Sequence, residues 1–456
     1  MDRLRCLVSW WSGSERRRLG TGWSPAVYLG LTLAVLVLLG TGLALNAGYL
    51  RGMHGLEPGI PNDDVFAYEC YARGFWQGTQ ALQDSSIMRY CGDPRWLFWT
   101  APPQTFHTLP REYPAPALLW FSLPLLSPGG VYPAIYITLV ALIELGTVAY
   151  LAWRRLLLSA VACGAYVFIA GWGTALERYD LVPGVLVLAA LILAERSRYG
   201  PAYLLLAAAA LLKVYPGAVA LVVGAHQWRT TGRPPWQGAV LFISAILVGA
   251  GPFAVLNPSG FLAPLHYNSV RPPQIESIPG SLLWLSGKLG GHVQVRLTYH
   301  SVNAEGTYAG LAAALSTTLL VVGVLLVVRC AWRGRDSLAR SVVLVLLVIL
   351  CTSKMLSPQY LLWLFPVVAY VEGLRLRWLV PAALTLLIFP FAYELDHSLV
   401  LLPRHPLFMG SILARNMVLV AITLLYLLPM PARDWLSRPF MTGEHGADNR
   451  ETQEMV

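Results

Sequence analysis

The sequence has 456 residues, of which 56% are hydrophobic and only 12% are charged, and its mean hydropathy is +0.56. Soluble proteins carry about a quarter charged residues, so this composition excludes an ordinary soluble domain. The apolar residues form Leu-, Val- and Ala-rich runs that approach the roughly 20 residues a helix needs to cross a bilayer, without the alternation of barrel strands. We therefore predict an all-α polytopic membrane protein. Its net charge of +9 requires no nucleic-acid partner, because membrane topology explains how the charge is distributed.

The first apolar run, residues 25–45, follows a basic segment formed by residues 1–24. The run is too long for the apolar core of a signal peptide, and no small-residue cleavage pattern follows it. We therefore expect an uncleaved first helix that starts in the cytoplasm. Residues 25–430 form the predicted transmembrane domain, and the polar residues 431–456 form a predicted cytoplasmic tail.

The first outer loop, residues 46–116, carries an acidic pair, Asp63 and Asp64, shortly after the first helix leaves the membrane. Residues 68–76 then read as an amphipathic helix that ends near Gly78 and lies along the membrane surface. An acidic pair is by itself typical of a solvated loop or a helix cap. Whether the Asp63–Asp64 pair is functional therefore depends on which residues it contacts in the fold.

The same loop holds Cys70 and Cys91, two of the six cysteines of the chain. We expect a disulfide bond between them if the loop faces an oxidising compartment, as loops outside the cytoplasm do. Two unpaired, buried cysteines are the alternative.

The later apolar runs predict further helices at residues 131–153, 156–173, 181–194, 238–256, 307–328, 378–393 and 409–428, with two more ending near residues 353 and 372. The run 117–126 is too short to cross a bilayer comfortably and is expected to be re-entrant or tilted. A second large outer loop covers residues 257–306. This layout has twelve crossings with both termini in the cytoplasm. It places the basic excess in the cytoplasmic segments, as the positive-inside rule requires.

The apolar stretch 201–227 is interrupted by Lys213 and Pro216. Proline removes an amide donor and disfavours helix in the residue before it. Both flanks of the stretch are basic, which indicates that both are cytoplasmic. We therefore predict two short helices that go up and back, with Lys213 near the outer surface.

Polar residues in unexpected places fall on the same predicted outer face. They are Asp63, Asp64, Arg178, Asp180, Lys213, Arg271, Glu276, Lys288, Lys354 and Gln359. An ionisable residue near a membrane is a candidate for function, although each one alone is as well explained as a loop charge at a helix end. Six separate segments that converge on one face indicate an outward-facing site with carboxylates and cations. Such a site suits a charged lipid substrate.

Four short motifs occur in order along the chain: Asp-x-x-x-Tyr opening the amphipathic helix (64–78), Tyr-Pro-Ala-Pro (113–117), Leu-Leu-Lys-Val-Tyr-Pro (211–216) and Ser-Pro-Gln-Tyr-Leu-Leu-Trp (357–363). With these motifs the sequence resembles the GT-C membrane glycosyltransferases, most closely the polyprenol-phosphate-mannose-dependent mannosyltransferases of glycosyltransferase family 87. That family often has Tyr-Pro-Pro-Leu at the second motif. The Cys- and Trp-rich residues 87–106 match nothing in it, which leaves the acceptor open.

The resemblance implies a GT-C-like bundle of about twelve transmembrane helices with its active site on the outer face. It also implies transfer of a hexose, mannose by analogy, from a polyprenyl-phosphate donor to a glycan or glycolipid acceptor. Many members need no metal, so neither a metal nor a cofactor is expected. A single displacement would invert the anomeric centre.

Such a transfer needs a base for the acceptor hydroxyl and cations for the leaving phosphate. The resemblance implies Asp64 as the base, with Asp63 either a neighbour that raises its pKa or the base itself. The candidate phosphate-binding residues are Lys213, Arg178, Arg271 and Lys354. The candidates for other substrate contacts are Asp180, Gln274, Glu276, His300 and Gln359, with His292 as a further histidine near the acceptor.

Two other functions remain open from the residues alone. A transporter or lipid flippase would place ionisable residues near the bilayer midplane and show repeated halves. The sequence has no evident internal repeat, and Glu144 is the only ionisable residue expected deep in a helix. A structural or assembly subunit of a cell-envelope complex is the third possibility, and it would lose nothing when Asp64 is altered.

Overall fold

A computed structural model describes residues 64–83, 91, 106–127, 132–154, 156–393 and 402–428. The predicted first helix (25–45), the two terminal segments and Asp63 lie outside the described residues. The helices before the second loop are α1 (Asp64–Gln77), α2 (Ala117–Ser122), α3 (Tyr132–Trp153), α4 (Leu157–Ile169), α5 (Trp172–Glu177), α6 (Leu181–Glu195), α7 (Tyr199–Leu212), α8 (Pro216–Thr231) and α9 (Trp236–Leu256). The later elements are α10 (Pro258–Val270), α11 (Ile278–Lys288), β1 (Val293–Thr298), β2 (Ser301–Gly306), α12 (Ala309–Trp332), α13 (Leu338–Thr352), α14 (Phe365–Glu372), α15 (Leu376–Leu386) and α16 (Pro406–Leu427).

In the described part of the chain, four helices are long and apolar enough to cross a membrane: α3, α9, α12 and α16. Several other helices, among them α4, α6, α7 and α13, are apolar but shorter. At 1.5 Å per residue a helix of 15 residues covers only about 22 Å, less than the roughly 30 Å of a bilayer core. The chain is therefore a helical membrane protein, as predicted, while the count of twelve crossings stays a prediction.

The exposure of the long helices separates the centre of the bundle from its margin. About half of the apolar stretches of α3 and α16 is buried, whereas only 6% of that of α9 and 11% of that of α12 is buried. Exposed apolar side chains along both helices face the space that lipid occupies around a membrane protein. We conclude that α9 and α12 form the lipid-facing margin of the described bundle.

Helix α1 is the predicted amphipathic helix of the first loop. It ends at Gln77, just before Gly78, whose φ of +84° lies in the left-handed region that favours glycine. The Tyr68 ring stacks on Phe121 of α2 with centroids 4.2 Å apart, and Trp76 Nε1 donates to Ser122 Oγ at 2.7 Å. Residues 117–126 form α2 and a following 3₁₀ turn, a length that does not cross a bilayer.

Cys70 of α1 and Cys91 are joined by a disulfide bond. Both cysteines are buried. The bond ties α1 to the part of the first loop that follows it. Among the described residues, Cys163, Cys330 and Cys351 are free.

The stretch 201–227 is broken where the sequence predicts, because α7 ends at Leu212 and α8 begins at Pro216. The start of α7 lies beside the end of α8, since Tyr203 donates to Gln227 Oε1 at 3.1 Å. The two helices therefore form a hairpin, with Lys213 at its tip.

Two predicted helices differ from the structure because glycine and proline interrupt them. The predicted helix 156–173 ends early at Ile169, and Gly171, with φ +110°, turns the chain into the short helix α5. The predicted helix 378–393 changes at Leu387 into a π-helical segment that contains Pro390.

The second loop contains two strands, which the predicted all-α fold does not include. It contains α10, α11 and the antiparallel hairpin β1–β2. The turn residues Tyr299 and His300 have φ of +52° and +51°, as the tight turns that match strand twist require. The backbone N–H of Gln274 donates to the backbone carbonyl of Lys354 at 2.9 Å, which joins this loop to the end of α13.

Polar residues gather at both ends of the bundle, and α6 connects the two ends. Asp180 directly precedes α6, and Glu195 is its last residue. At the far end, Tyr370 of α14 donates to Glu195 Oε2 at 2.6 Å, and Trp378 Nε1 donates to Glu372 Oε2 at 2.6 Å. The candidate site residues lie at the Asp180 end.

Candidate active site

Asp64 and Arg178 form an ion pair with Nη1 and Oδ2 2.5 Å apart. Asp64 is the first residue of α1, and Arg178 stands between α5 and α6. Burial raises the pKa of the Asp64 carboxyl above its ordinary value, and the charge of Arg178 opposes this rise. The guanidinium of Arg178 also lies 5.9 Å from the ring centroid of Phe389. The carboxylate proposed as a base thus has a cation beside it.

Lys213 is held by a carboxylate and by aromatic rings. Its ammonium lies 3.1 Å from Asp180 Oδ1. Four rings surround it at 4.9 to 5.7 Å from their centroids, those of Tyr113, Tyr179, Tyr360 and Trp363. Ring faces attract cations, and most strongly where water is excluded. These contacts fix the ammonium at the tip of the α7–α8 hairpin.

Trp363 joins two of the sequence motifs to this cage. Its indole N–H donates to Asp180 Oδ1 at 2.7 Å, and Asp180 is only 1% exposed. The indole stacks between Tyr215 at 4.3 Å and Tyr360 at 4.2 Å. The Lys-Val-Tyr-Pro and Gln-Tyr-Leu-Leu-Trp segments therefore build one site together. Gln359, in the second of these segments, accepts a hydrogen bond from Ser357.

Glu276 is fully buried in the second loop. One carboxyl oxygen accepts from the Tyr393 hydroxyl, and the other accepts from Gln274 Nε2 at 3.3 Å. Burial raises the pKa of Glu276, and Arg415, Tyr393, Arg178 and Arg271 oppose the rise. The carboxyl of Glu276 thus interacts electrostatically with Arg178, the cation that pairs with Asp64.

Arg415 was missed by the sequence analysis and corrects the expectation that Glu144 is the only ionisable residue deep in a helix. It lies within α16, is 0% exposed, and its Nη2 donates to the Glu276 backbone carbonyl at 2.7 Å. Asn416 Nδ2 donates to the same carbonyl at 3.1 Å. The signal was available, because an Arg-Asn pair interrupts an apolar run.

Lys354 and Arg271, two of the predicted phosphate ligands, are engaged by the protein itself. Lys354 Nζ donates to the carbonyls of Ser269 at 3.0 Å and Arg271 at 2.8 Å, at the end of α10. Burial, followed by the charge of Arg271, lowers the pKa of the Lys354 ammonium. Arg271 Nη2 donates to Ser301 Oγ at 2.5 Å. An ammonium has three donors, so Lys354 keeps one at most for a ligand.

The two candidate histidines, His292 and His300, lie on or directly before the β1–β2 hairpin. His300 is exposed on the turn between β1 and β2, and His292 is exposed just before β1. The structure thus places them on the second loop, whereas Asp64, Arg178, Asp180 and Lys213 meet at the ends of the helices.

Glu112 and Tyr113 also belong to the site but were not assigned to it from the sequence. Tyr71 donates to Glu112 Oε1 at 3.2 Å. The Tyr113 ring makes edge contacts with Tyr68 and Tyr179, both with centroids 5.7 Å apart. The signal for Glu112 was its position immediately before the Tyr-Pro-Ala-Pro motif.

The described residues include no group of three or more His, Cys, Asp or Glu side chains that could hold a metal ion. The charges that could meet a phosphate there are basic side chains: Arg178 and Lys213 at the helix ends, and Arg271 on the second loop. Whether the reaction needs a metal stays a matter of prediction.

A comparison with protein-family models matches residues 112–358 to glycosyltransferase family 87. The match covers more than half of the chain and includes Arg178 and Lys213, whereas Asp64 precedes it and Arg415 follows it. Comparisons with curated proteins and with solved structures found no match.

Proposed function

The chain belongs to glycosyltransferase family 87 and is a membrane glycosyltransferase, and we propose that it moves a hexose from a polyprenyl-phosphate donor to a glycan or glycolipid acceptor. Mannose is the sugar we favour, by analogy with the members that the motifs resemble. The reaction takes place at the outer face of the cell membrane, with both chain termini in the cytoplasm.

The observation that carries this proposal is a pair of neighbouring ion pairs, Asp64 with Arg178 and Asp180 with Lys213, whose charges also act on the Asp64 carboxyl. A carboxylate is the base that the acceptor hydroxyl needs, and cations are what the leaving phosphate needs. All four residues come from helix ends at one end of the bundle, where a lipid-linked donor and an aqueous acceptor can both arrive.

The chemistry is a single displacement that inverts the anomeric carbon. Asp64 accepts the proton of an acceptor hydroxyl, and the hydroxyl oxygen bonds to the anomeric carbon. The bond between that carbon and the phosphate oxygen breaks, and its electron pair leaves with the polyprenyl phosphate. The basic side chains stabilise the negative charge that develops there.

In this mechanism Arg178 has two partners in succession. Without donor it is paired with Asp64, and its positive charge makes the carboxylate a weaker base. A donor phosphate offers a second anion to the same guanidinium, suited to bidentate contact. When Arg178 turns towards the phosphate, the pKa of Asp64 rises further and the base gains strength.

Lys213 supplies the second cation, because the aromatic cage and Asp180 fix its ammonium beside the site. Arg271 is a third candidate for binding the phosphate, and it also donates to Ser301 on the second loop. Lys354 contributes less in this proposal, since two backbone carbonyls already accept from its ammonium.

The assignment to the outer face rests on the α7–α8 hairpin. The basic residues Arg198 and Arg229 lie near the open end of this hairpin, and Lys213 lies at its tip. Basic flanks favour the cytoplasm. The tip, and with it the candidate site, then lies on the opposite side of the membrane.

A transfer assay tests the proposal. Purified protein is incubated with a panel of radiolabelled polyprenyl-phosphate sugars and with octyl hexosides as acceptors. We expect labelled disaccharide and free polyprenyl phosphate in equal amounts from one donor of the panel, formed about 10² to 10⁴ times more slowly by the Asp64→Asn variant. Transfer that is equally fast in this variant, or absent with every lipid-linked sugar, would contradict the proposal.

A further inference from the structure

We propose that Glu112 binds a hydroxyl of the acceptor next to the one that Asp64 deprotonates. The acceptor is then a carbohydrate with neighbouring hydroxyl groups rather than a simple alcohol. This inference rests on the proposed function, because it concerns the second substrate of the same reaction.

The first argument is the position of Glu112 relative to α1. Tyr71 donates to Glu112 Oε1 at 3.2 Å. Tyr71 follows Asp64 by seven residues, which is two turns of helix, so the two residues share one face of α1. Glu112 therefore borders the face of α1 that begins with the proposed base.

The second argument is the contacts of Tyr113, the next residue. Its ring lies 5.7 Å from that of Tyr68 and 5.8 Å from that of Tyr71, between centroids. The ammonium of Lys213 lies 5.6 Å from the same ring. The segment that carries Glu112 is thus part of the wall that brings the base and the cations together.

The third argument is charge. Two cations of the site, Arg178 and Lys213, pair with Asp64 and Asp180, while Arg111 and Arg271 lie against the ring of Tyr267. The carboxylate of Glu112 interacts with that of Asp64 and helps to raise its pKa. Two partly buried carboxylates that repel each other gain from ligands that donate hydrogen bonds to both.

Carbohydrate hydroxyls are such ligands, because an ionised carboxylate only accepts hydrogen bonds and each hydroxyl can donate one. Neighbouring hydroxyls on a sugar ring could donate to Asp64 and Glu112 together. In that arrangement Glu112 orients the ring, while Asp64 takes the proton of the attacking hydroxyl. Glu112 is partly exposed, as an acceptor-binding group must be.

A structural role for Glu112 would act through the two tyrosines beside it, Tyr71 and Tyr267. Tyr71→Phe removes the hydrogen bond from Tyr71 and keeps the carboxylate, so it is the matched control for Glu112→Gln. Glu112→Asp keeps the charge on a shorter side chain and should recover part of the acceptor affinity if the charge binds substrate.

The test measures KM for an octyl hexoside and for its series of monodeoxy analogues, with the donor that the parent protein uses. A hydrogen bond to a charged group contributes a factor of about 10 to 100 in affinity. Glu112→Gln should raise KM by about that factor for the hexoside and much less for the one analogue that lacks the contacted hydroxyl. Tyr71→Phe should stay within about threefold of the parent.

The inference is overturned if Glu112→Gln leaves KM unchanged, if it raises KM equally for every analogue, or if Tyr71→Phe has the same effect. Failure of the proposed function is distinguishable, because the parent protein would then transfer no sugar from any donor. If the parent protein transfers sugar, comparing Glu112→Gln with Tyr71→Phe tests only the role of Glu112.

Discussion

Arg178 holds Asp64 in an ion pair of 2.5 Å, so a residue expected to bind the donor phosphate also binds the proposed base. The two residues are 114 positions apart in the chain, and the folding of α1 against the start of α6 brings them together. The pair is mostly shielded from water, with 15% and 22% of the two side chains exposed. It couples the two halves of the proposed reaction, since a change at one partner alters the charge felt by the other.

Replacing Asp64 by Asn should lower turnover by a factor of about 10² to 10⁴, the usual contribution of a general base. The amide keeps the shape of the carboxyl but cannot take the proton. Donor binding should survive, because the proposed mechanism assigns the phosphate to the cations. Turnover and equilibrium binding of labelled donor are measured on the same protein.

Asp63→Asn is the matched control for this prediction, because adjacent carboxylates can exchange roles. If Asp63→Asn is inactive while Asp64→Asn keeps the parent rate, the base is Asp63. If both variants are fully active and folded, the enzyme uses neither carboxylate and the mechanism proposed above is wrong.

The pH dependence of the reaction should reveal the charge of Arg178. Asp64 acts as a base only when deprotonated, so kcat/KM for the donor should fall as the pH drops through its pKa. Burial raises that pKa, whereas Arg178 holds it down. Arg178→Gln removes the opposing charge, and the acidic limb of the profile should move to higher pH.

The control for the pH profile is Arg271→Gln, which removes a cation that interacts with Glu276 instead. Both variants should bind donor less tightly, but only Arg178→Gln should displace the acidic limb. An identical displacement in both variants, or a displacement to lower pH for Arg178→Gln, would show that the pair does not set the pKa of the base.

Local features of the fold were predictable from the sequence. Pro216 breaks the stretch 201–227 because proline lacks an amide donor, and the structure has the break there. The amphipathic pattern of the first loop gave α1, and Gly78 gave its end. Each of these signals lies within a few residues of the element it determines.

The contacts within the site were not predictable, because they join residues that are far apart in sequence. The pairing of Asp64 with Arg178, rather than with Lys213, depends on how α1 packs. Arg415 contacts Glu276 from 139 positions away. The motifs located most of the participating segments, but their spacing holds no information on which charge meets which.

Removing the disulfide bond should destabilise the protein. The bond joins residues 21 positions apart, and the chain-entropy account gives about 3 kcal/mol for a loop of this size. The paired replacement Cys70→Ser and Cys91→Ser should lower the thermal unfolding midpoint, while Cys330→Ser, at a free cysteine, should leave it unchanged.

Mass spectrometry tests the same bond directly. A digest of protein purified without reductant should contain the two cysteine peptides linked to each other. Finding both cysteines as free thiols in such protein would contradict the disulfide and would leave the first loop without its covalent tie.

The orientation of the α7–α8 hairpin can be tested in intact cells. Val214, at its tip, is 71% exposed and should be replaced by Cys in a background where Cys6, Cys163, Cys330 and Cys351 are substituted. We expect reaction with an impermeant maleimide before lysis, because the proposed topology places the tip outside the cell. Cysteine at Thr231, the last residue of α8, should react only after lysis. Labelling of Val214→Cys only after lysis would place the site in the cytoplasm.

Replacing Lys213 by Ala and replacing Lys354 by Ala should have different effects on ligand binding and on stability. Lys213 presents its ammonium within a cage of aromatic rings and pairs with Asp180. Lys354 instead donates to the carbonyls of Ser269 and Arg271, which secures the end of α10. Lys213→Ala should therefore weaken binding of labelled polyprenyl phosphate by a factor of about 10 to 100, the usual effect of losing a charged hydrogen bond. Lys354→Ala should chiefly lower the thermal unfolding midpoint and change the dissociation constant by less than about threefold, because its ammonium is already satisfied by the protein. Equal loss of binding in both variants would mean that Lys354 leaves its carbonyls to meet the phosphate, and unchanged binding in Lys213→Ala would remove the caged ammonium from the donor site.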